Sequence, residues 1–540
     1  MSPAPPPSDP ETSAKPDTST SALAPLGLPV FRMLWFTWLA ANISMWMNDV
    51  AAAWLMTSLT TSPVLVALVQ TASTLPVFLL GLPSGALADI LDRKRFFLFT
   101  QLWVAVVALV LCGTVLSGYM SPQLLLAMTF ANGIGLALRW PVFSAIVPEL
   151  VPRHQLPAAL ALNGISMNAS RIVGPLVAGA LIASLGSAYV FMLNALLAIM
   201  AAVVISRWKR TPTLQPLGRE KLVGAMRVGM QFMAQSSHLQ GVLVRISLFF
   251  FHSTALIALL PLVARGLPGG DARTFTLLLA SMGAGAIVAA LNMQRLRRYW
   301  SRDGLVLRGS ALQSLAMVAV AFAPSTTVAA LAMVVAGMAW ITTANTLSVS
   351  AQFALPDWVR ARGMSMYQMA IMGASASGAA IWGQVASHYA IRGSLVAAAV
   401  TGSITMLLAN RWLADSQTEE DLTPTRLFKA PQPRQPPGDG RIVLTIDYRI
   451  DPARADEFKA LMQESRRSRL RHGALSWDLL RDINDPGLFT EQIIDESWTE
   501  HLRRYDRVTS ADATLRDRKQ AFHIGQEPPV VKRRVIESVD

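Results

Sequence analysis

Between residues 31 and 412 the chain is a succession of long apolar runs, each close to the ~20 residues a helix needs to cross a hydrocarbon layer. The runs fall at 33–58, 64–88, 96–118, 122–147, 157–184, 188–206, 241–264, 275–294, 304–323, 327–354, 363–387 and 393–412, twelve in all. They are continuous, without the apolar/polar alternation of a membrane barrel, so the pattern predicts helices. The longest polar interruption, about 207–240, splits them six and six, into stretches of 177 and 173 residues (31–207 and 240–412). Features recur at matching places in the two stretches. A basic loop (DRKR, 92–95) after the second run is answered by RLRR (295–298) after the eighth, and a Gly-rich fifth run (GPLVAG, 174–179) by a Gly-rich eleventh (GASASGAAIWG, 373–383). Two similar six-helix halves are the plan of many secondary transporters, with the substrate site between the halves near the midplane.

The flanks have a different texture. Residues 1–29 are rich in Pro, Ser and Thr with no hydrophobic period, and read as a disordered tail. They lack a basic start, short apolar run and small-residue cleavage site, so the first helix is expected to act as the insertion signal. Residues 413–440 are polar and Pro-rich, a linker. Beyond it, RIVLTIDYRI (441–450) alternates as a strand, 451–470 reads as a helix opened by Asp451-Pro452, and 474–483 and 487–497 read as a strand pair around Asn484-Asp485-Pro486. A helix at 498–508 and a strand at 530–538 complete a βαββαβ order, the ferredoxin-like arrangement. The fold class expected is thus an all-α multi-pass membrane protein with a small α+β domain appended. The predicted divisions are a cytoplasmic tail (1–29), a first half (30–207), a basic linker (208–240), a second half (241–412), a Pro-rich linker (413–440) and a soluble domain (441–540).

Composition agrees. Apolar residues make up 52%, about 58% with the 34 glycines, and charged residues only 15% of the 540, against roughly 45–50% and 25% in soluble proteins. A net charge of +13 would ordinarily raise nucleic acid as a partner, but its location argues otherwise. The last 100 residues carry 18 basic and 18 acidic side chains and cancel, so the whole excess lies in the apolar part. Alternate loops hold sixteen cations, Arg93, Lys94, Arg95, Arg153, Arg207, Lys209, Arg210, Arg219, Lys221, Arg227, Arg295, Arg297, Arg298, Arg302, Arg360 and Arg362. The opposite loops hold three, Arg265, Arg273 and Arg392. Positive charge stays on the cytoplasmic side, and with an even number of runs both termini are expected in the cytoplasm. The lipid bilayer and a small-molecule substrate are the expected partners, and nucleic acid is not.

Ionisable groups within apolar runs are costly and therefore informative. Among the acids of residues 1–440, only Asp49, in WMNDVAAAW, lies well inside a run. It either exchanges protons as access alternates or, beside Asn48, fixes helix packing through hydrogen bonds. Arg139, in GLALRWP, is the matching cation of the fourth run. By position it lies toward the cytoplasmic half and Asp49 toward the outer half, so its roles are tuning of Asp49, holding an anionic group, or bonding backbone carbonyls. Arg171 and Arg245 fall nearer the cytoplasmic boundary and read as structural. In GALADILDRKR, Gly85, Asp89, Asp92, Arg93 and Arg95 form a compact gate motif whose acids among cations suit ion pairs that latch the inner side. Gly174, Pro175 and Gly179 combine a missing donor with little side-chain bulk, a bendable and closely packed helix. No phosphate-binding GxxxxGK[ST] loop and no HExxH or His cluster is present, and one Cys excludes a disulfide framework. No metal or cofactor is expected, and the energy source expected is the proton gradient.

These residues resemble the major facilitator superfamily. GALADILDRKR is similar to its signature between spans two and three, with Ile90 and Asp92 where Arg and Gly are commoner. The second-half copy, GAGAIVAALNMQRLRR (283–298), lacks the acid. WLMTSLTTSPVLVALVQTASTLPVFLLGLPSGALAD (54–89), NGIGLALRWPVFSAIVPELVP (132–152) and LNGISMNASRIVGP (162–175) resemble the branch of the enterobactin exporter and macrolide efflux proteins. The resemblance implies a bacterial inner-membrane exporter driven by the proton gradient, with Asp49 and Arg139 standing where related drug–proton antiporters place a coupling acid and an Arg. The tail resembles dimeric α+β barrel domains of antibiotic-biosynthesis monooxygenases, with Trp498 and His501 fitting that group's aromatic and His around the second helix. This implies a regulatory or dimerising module, with homodimerisation through the tail. An oxygenase or haem-binding role for the tail, and uptake in place of efflux, are the alternatives.

Overall fold

A computed structural model describes residues 23–209, 222–413, 421, 423, 425 and 440–537. The first half comprises α1 (Pro29–Leu59), α2 (Pro63–Ile90), α3 (Arg93–Leu116), α4 (Pro122–Leu150), α5 (Leu156–Ser184) and α6 (Ser187–Arg207). The second comprises α8 (Ser237–Gly266), α9 (Ala272–Tyr299), α10 (Arg302–Ala321), α11 (Thr326–Phe353) and α12 (Asp357–Leu413), and α7 (Leu222–Gln235) stands between the halves. Helix starts are chemically marked. Ser121, Asp271, Ser301 and Ser325 accept a first-turn backbone N–H with their side-chain oxygens, and α1, α2 and α4 carry proline in the first turn, where no backbone donor is needed.

By length and apolar composition, ten of these helices qualify as membrane spans among the described residues, so the chain is a multi-pass membrane protein. The α1 helix, 31 residues long, is not among the ten. Its apolar run is interrupted by Asn42, Ser44, Asn48 and Asp49. The α12 helix holds two segments. Its backbone leaves helical geometry at Tyr389 and Ala390, the latter at φ 58°. The Ser394 hydroxyl donates to the Trp382 carbonyl over 2.7 Å, whereas twelve residues of straight helix would span about 18 Å. The chain therefore doubles back at the break.

Burial organises most of these helices into three large apolar clusters. One is shared by both halves, running from Met47, Met56 and Val66 through Leu111 and Phe191 to Leu256, Phe275, Met333 and Trp382. It lies at the end carrying the turn at 60–62. At the other end, which carries the basic loops and the C-terminal domain, the core is split. One cluster there belongs to the first half (Phe31, Trp38, Phe97, Phe143, Ile205) and another to the second (Phe232, Ile246, Phe250, Tyr367, Met406). Across the seam α2 packs on α12 and α5 on α9.

The soluble part runs β1 (Arg441–Arg449), α13 (Ala455–Arg471), β2 (Ser476–Arg481), β3 (Leu488–Asp495), α14 (Trp498–Asp506), α15 (Ser510–Gln520) and β4 (Val530–Ile536). The strands form one antiparallel sheet in the order β2-β3-β1-β4, with Thr445 opposite both Gln492 and Lys532. Leu444, Ile446, Tyr448, Phe489 and Ile493 alternate onto one face and pack on Phe458 and Met462 of α13. Two helices stand where one was expected between β3 and β4, because Thr509 and Asp512 form a reciprocal capping box that starts α15 afresh. The α7 helix was also not anticipated. Its segment, LVGAMRVGMQFMAQ, sits within a stretch read from its polarity as linker.

Close packing of α9 on α11 depends on Gly285 and Gly337. A Cβ at Gly337 would overlap the Met282 carbonyl oxygen, and one at Gly285 the Val334 carbonyl oxygen. Since backbone must move, Gly337→Ala is expected to cost about 1–3 kcal/mol and lower the melting temperature of the purified protein. Gly113→Ala, on α3 with open space around it, should leave the melt unchanged or raised.

Candidate functional site

Asp49 sits on α1 where the shared core ends. Its Oδ1 accepts from the Ser73 hydroxyl of α2 at 2.9 Å. It lines a cavity of about 20 Å³ whose wall also includes Gln70 and Ser73 of α2 and Ile257 and Ala258 of α8, from the opposite half. That volume holds about one water, so the carboxyl has one side-chain partner and space at the seam. Asn48, next along, turns the other way. The Ser44 hydroxyl donates to Asn194 Oδ1, and Asn194 donates to Asn48 Oδ1 at 3.2 Å, a polar clasp from α1 to α6. The adjacent Asn and Asp thus divide the packing and the seam-facing positions.

Arg139 is 3% exposed. It donates to the Ala41 carbonyl at 3.2 Å and its guanidinium lies 5.3 Å from the Trp38 ring. Ala41 and Asp49 are eight residues apart on one helix, about 12 Å along its axis, so Asp49 and Arg139 are not brought together. Arg171 stands deeper than expected. Its guanidinium lies 5.3 Å from the ring of Trp46, one helical turn from Asp49, and its Nε is buried without a hydrogen-bond partner. Snorkelling to a boundary does not describe it. Arg245 pairs with Asp303 at 2.6 Å, beside a 360 Å³ cavity lined in part by His238, Ser301, Arg302 and Ser350 at the basic end of the second half.

The gate motif divides between α2 and α3. Gly85 and Asp89 fall within α2, but their side chains lie outside the described residues. Asp92 caps α3, accepting the Arg95 backbone N–H at 2.9 Å. Arg93 pairs with Glu149 of α4 at 2.6 Å, and Lys94 donates to the Ser206 carbonyl of α6 at 2.8 Å, both partners within the first half. Pro175 lies inside an unbroken α5. Gly174 lets α5 approach α1, since a Cβ there would lie 3.0 Å from the Ile43 carbonyl oxygen. Gly179 faces Thr276 of α9 across the seam, where a Cβ would overlap the threonine side chain.

In the soluble domain Trp498 stacks on His501, with centroids 5.2 Å apart. His501 Nδ1 is 2.6 Å from Asp495, which also binds Arg504 at 3.2 Å, and His501 Nε2 is buried without a partner. Burial holds His501 below the ordinary histidine range, opposed by its bond to Asp495. Between sheet and helices lies a network that sequence reading missed. Glu491, 0% exposed, meets Lys519 at 3.1 Å, Trp477 at 2.9 Å, Ser465 at 2.7 Å and Arg469 at 3.4 Å. Burial alone would raise the Glu491 carboxyl. The charges of Lys519 and Arg469 and the donors Trp477 and Ser465 hold it far below the carboxylate range. The only sequence signal was a glutamate at a core-facing position of the β3 alternation.

The same domain rests on α7 and on the start of α12. Arg227 pairs with Glu496 at 2.8 Å, and Gln231 donates to the Ala474 carbonyl at 3.2 Å. The Arg507 guanidinium lies 5.0 Å from the Trp358 ring, while the His472 ring is 6.3 Å from it. Gly473, at φ 104°, brings the α13–β2 turn against Val228.

Comparison with known proteins accords with this geometry. Residues 20–539, the soluble domain included, match the family described as transmembrane secretion effector. Macrolide efflux protein A of Streptococcus pyogenes is 26% identical over 286 residues, covering 51% of this chain and 69% of that protein. The staphyloferrin A transporter of Staphylococcus aureus is 21% identical over 280 residues, covering 51% and 70%. Among solved structures, a bacterial homologue of the human lysosomal transporter Spinster, inward-facing and unoccupied, aligns with a TM-score of 0.57 at 16% identity over 72% of this chain and 98% of that one. The POT family transporter PepTSo aligns at 0.59 and 13% identity, over 73% and 99%. The chain belongs to the transmembrane secretion effector family of the major facilitator superfamily, and is a secondary transporter rather than an enzyme.

The soluble domain carries a pH dependence of definite sign. Burial pushes His472 down to about 4, opposed by Asp512 at 3.5 Å. Its folded value lies below its unfolded value, so the unfolded chain binds more protons between about 6.5 and 4 and stability falls as pH drops through that window. The domain's melting temperature in the full-length protein is expected to fall from pH 7 to pH 5, and His472→Gln should flatten that slope.

Proposed function

We propose that the protein is a proton-coupled exporter of small amphipathic compounds, of the drug or siderophore class, working by alternating access in the bacterial inner membrane. The observation that carries the reading is Asp49, an acid at the seam of the two halves with a single hydroxyl partner and space for about one water beside it. Protonated from one side and released to the other, it would couple the gradient to the motion of the halves. The names of the relatives, a macrolide efflux protein and a staphyloferrin A transporter, support the substrate class.

Twelve spans follow if α1 is added to the ten qualifying helices and α12 is counted as two at its break. The basic end then faces the cytoplasm by loop charge, with both termini there. One core shared at the far end and two separate cores at the basic end suit a state open to the cytoplasm. The Gly174, Pro175 and Gly179 positions of α5 would bend and slide as the seam reverses, and the 85–95 segment would gate the cytoplasmic side. The strand order of the tail is that of a ferredoxin-like domain. Its contacts with α7 and Trp358 favour a regulatory module that braces the second half, with self-association as a further role. The His501–Asp495 pair is the feature that favours the alternative, a ligand-binding or oxygenase tail.

Transport into inverted vesicles, followed with and without an imposed pH gradient, tests the coupling. Asp49→Asn is expected to abolish gradient-driven accumulation while leaving the protein folded, and normal gradient-dependent transport by that variant would overturn the assignment. For the tail, Arg227→Glu places like charges at the docking contact. It should loosen docking by about 1 kcal/mol, speed protease cleavage in the 413–440 linker and slow transport. The double swap Arg227→Glu/Glu496→Arg should restore both readouts.

A further inference from the structure

The charge inventory inside the membrane part is lopsided. Asp49 is the one interior acid singled out by the sequence, and its polar partner is Ser73. Against it stand two guanidinium groups, Arg139 and Arg171, neither with a carboxylate partner among the described residues. Arg139 has one carbonyl and the Trp38 ring. Among the described residues Arg171 meets the Trp46 ring, and its Nε is buried without a hydrogen-bond partner. A cation–π contact offsets only part of the cost of a desolvated guanidinium. Positive charge at membrane depth ordinarily pairs with an acid or lines a water-filled path.

Both cations lie against rings of the same helix, α1. Trp38 and Trp46 are eight residues apart on α1, so the arginines stand about 12 Å apart along the membrane normal, one from α4 and one from α5. Arg171 is half-buried, and it adjoins the seam. Ile172, the next residue, faces Gly283 of α9 in the second half, and Gly174 holds α5 against Trp46. Arg171 and Trp46 thus stand half-buried at the seam beside the shared core, whereas Arg139 and Trp38 lie inside the core of the first half.

We infer that Arg171 is an anion-receiving site, and that the transported compound carries carboxylate or comparably anionic groups on an amphipathic body. The planar fork of its guanidinium suits a carboxylate in bidentate fashion. The half-buried indole of Trp46 gives the apolar part of the ligand a surface to pack on. A cationic compound meets a like charge there and is disfavoured. This rests on the reading that the space between the halves is the transport path, and it deepens that reading by naming the charge of the cargo.

Two dyes with the same xanthene body and opposite charge, carboxyfluorescein and rhodamine 123, test it by fluorescence anisotropy with purified full-length protein at equilibrium and without any gradient. Carboxyfluorescein is expected to bind at least tenfold more tightly than rhodamine 123. Arg171→Gln should weaken carboxyfluorescein at least tenfold and leave rhodamine 123 unchanged or tighter, while Arg171→Lys, which keeps the charge, should lose no more than about threefold. A merely structural arginine would lower binding of both dyes together, or fail equally as Gln and Lys. Either result overturns the site, as does equal or tighter binding of the cationic dye to the unaltered protein. The outcome is independent of coupling. Anion preference with gradient-insensitive flux would remove the proton-coupling reading and leave this site standing, whereas gradient-driven flux without anion preference would do the reverse.

Discussion

Everything in the membrane part depends on how the two halves close against each other. Lipid offers backbone groups no hydrogen bonds, so each span must be a helix, and helices in lipid associate through close packing and polar contacts. Here the packing is continuous across the seam at one end, where residues of both halves share one core, and divides into two cores at the other. Small residues set the approach of the helices: Gly179 meets Thr276 across the seam, and Gly285 and Gly337 let α9 and α11 come to backbone distance.

Polar chemistry is concentrated where the packing changes. On α1, Asn48 is held in the clasp with Asn194 and Ser44 while its neighbour Asp49 reaches Ser73 and the seam cavity. Trp38 and Trp46, on the same helix, each receive an arginine from another helix. The polar residues that keep α1 out of the ten qualifying spans are thus the ones engaged in these contacts.

The soluble domain follows a different logic. Its interior accommodates charge because Glu491, Lys519, Arg469, Trp477 and Ser465 satisfy one another, and such a network persists only when every member is paired. A space filled in this way supports a domain built to dock, and the contacts of Arg227, Gln231 and Trp358 supply the surface. Because the family match spans residues 20–539, the domain is part of the family's plan.

Much of this was legible in the chain alone. Runs of about twenty apolar residues can only be helices in lipid, so the multi-pass helical fold could be read from order and composition, while loop cations bias orientation and an acid inside a run is costly enough to draw notice. Period-two alternation also marked the first strand of the tail, while the order of the four strands in the sheet was set by the fold. What required tertiary structure was whatever depends on which faces meet. Distance along the sequence put Arg171 near a boundary, and only the packing of α5 on α1 set it over Trp46. The polarity of 208–240 concealed α7, because its amphipathic face becomes meaningful only beneath the soluble domain. The partners of Arg93, the doubling back at Ala390 and the split of the core at one end were likewise decided by contacts between residues far apart in the chain. A linear pattern records what each segment must bury, while the choice of partner belongs to the assembled fold.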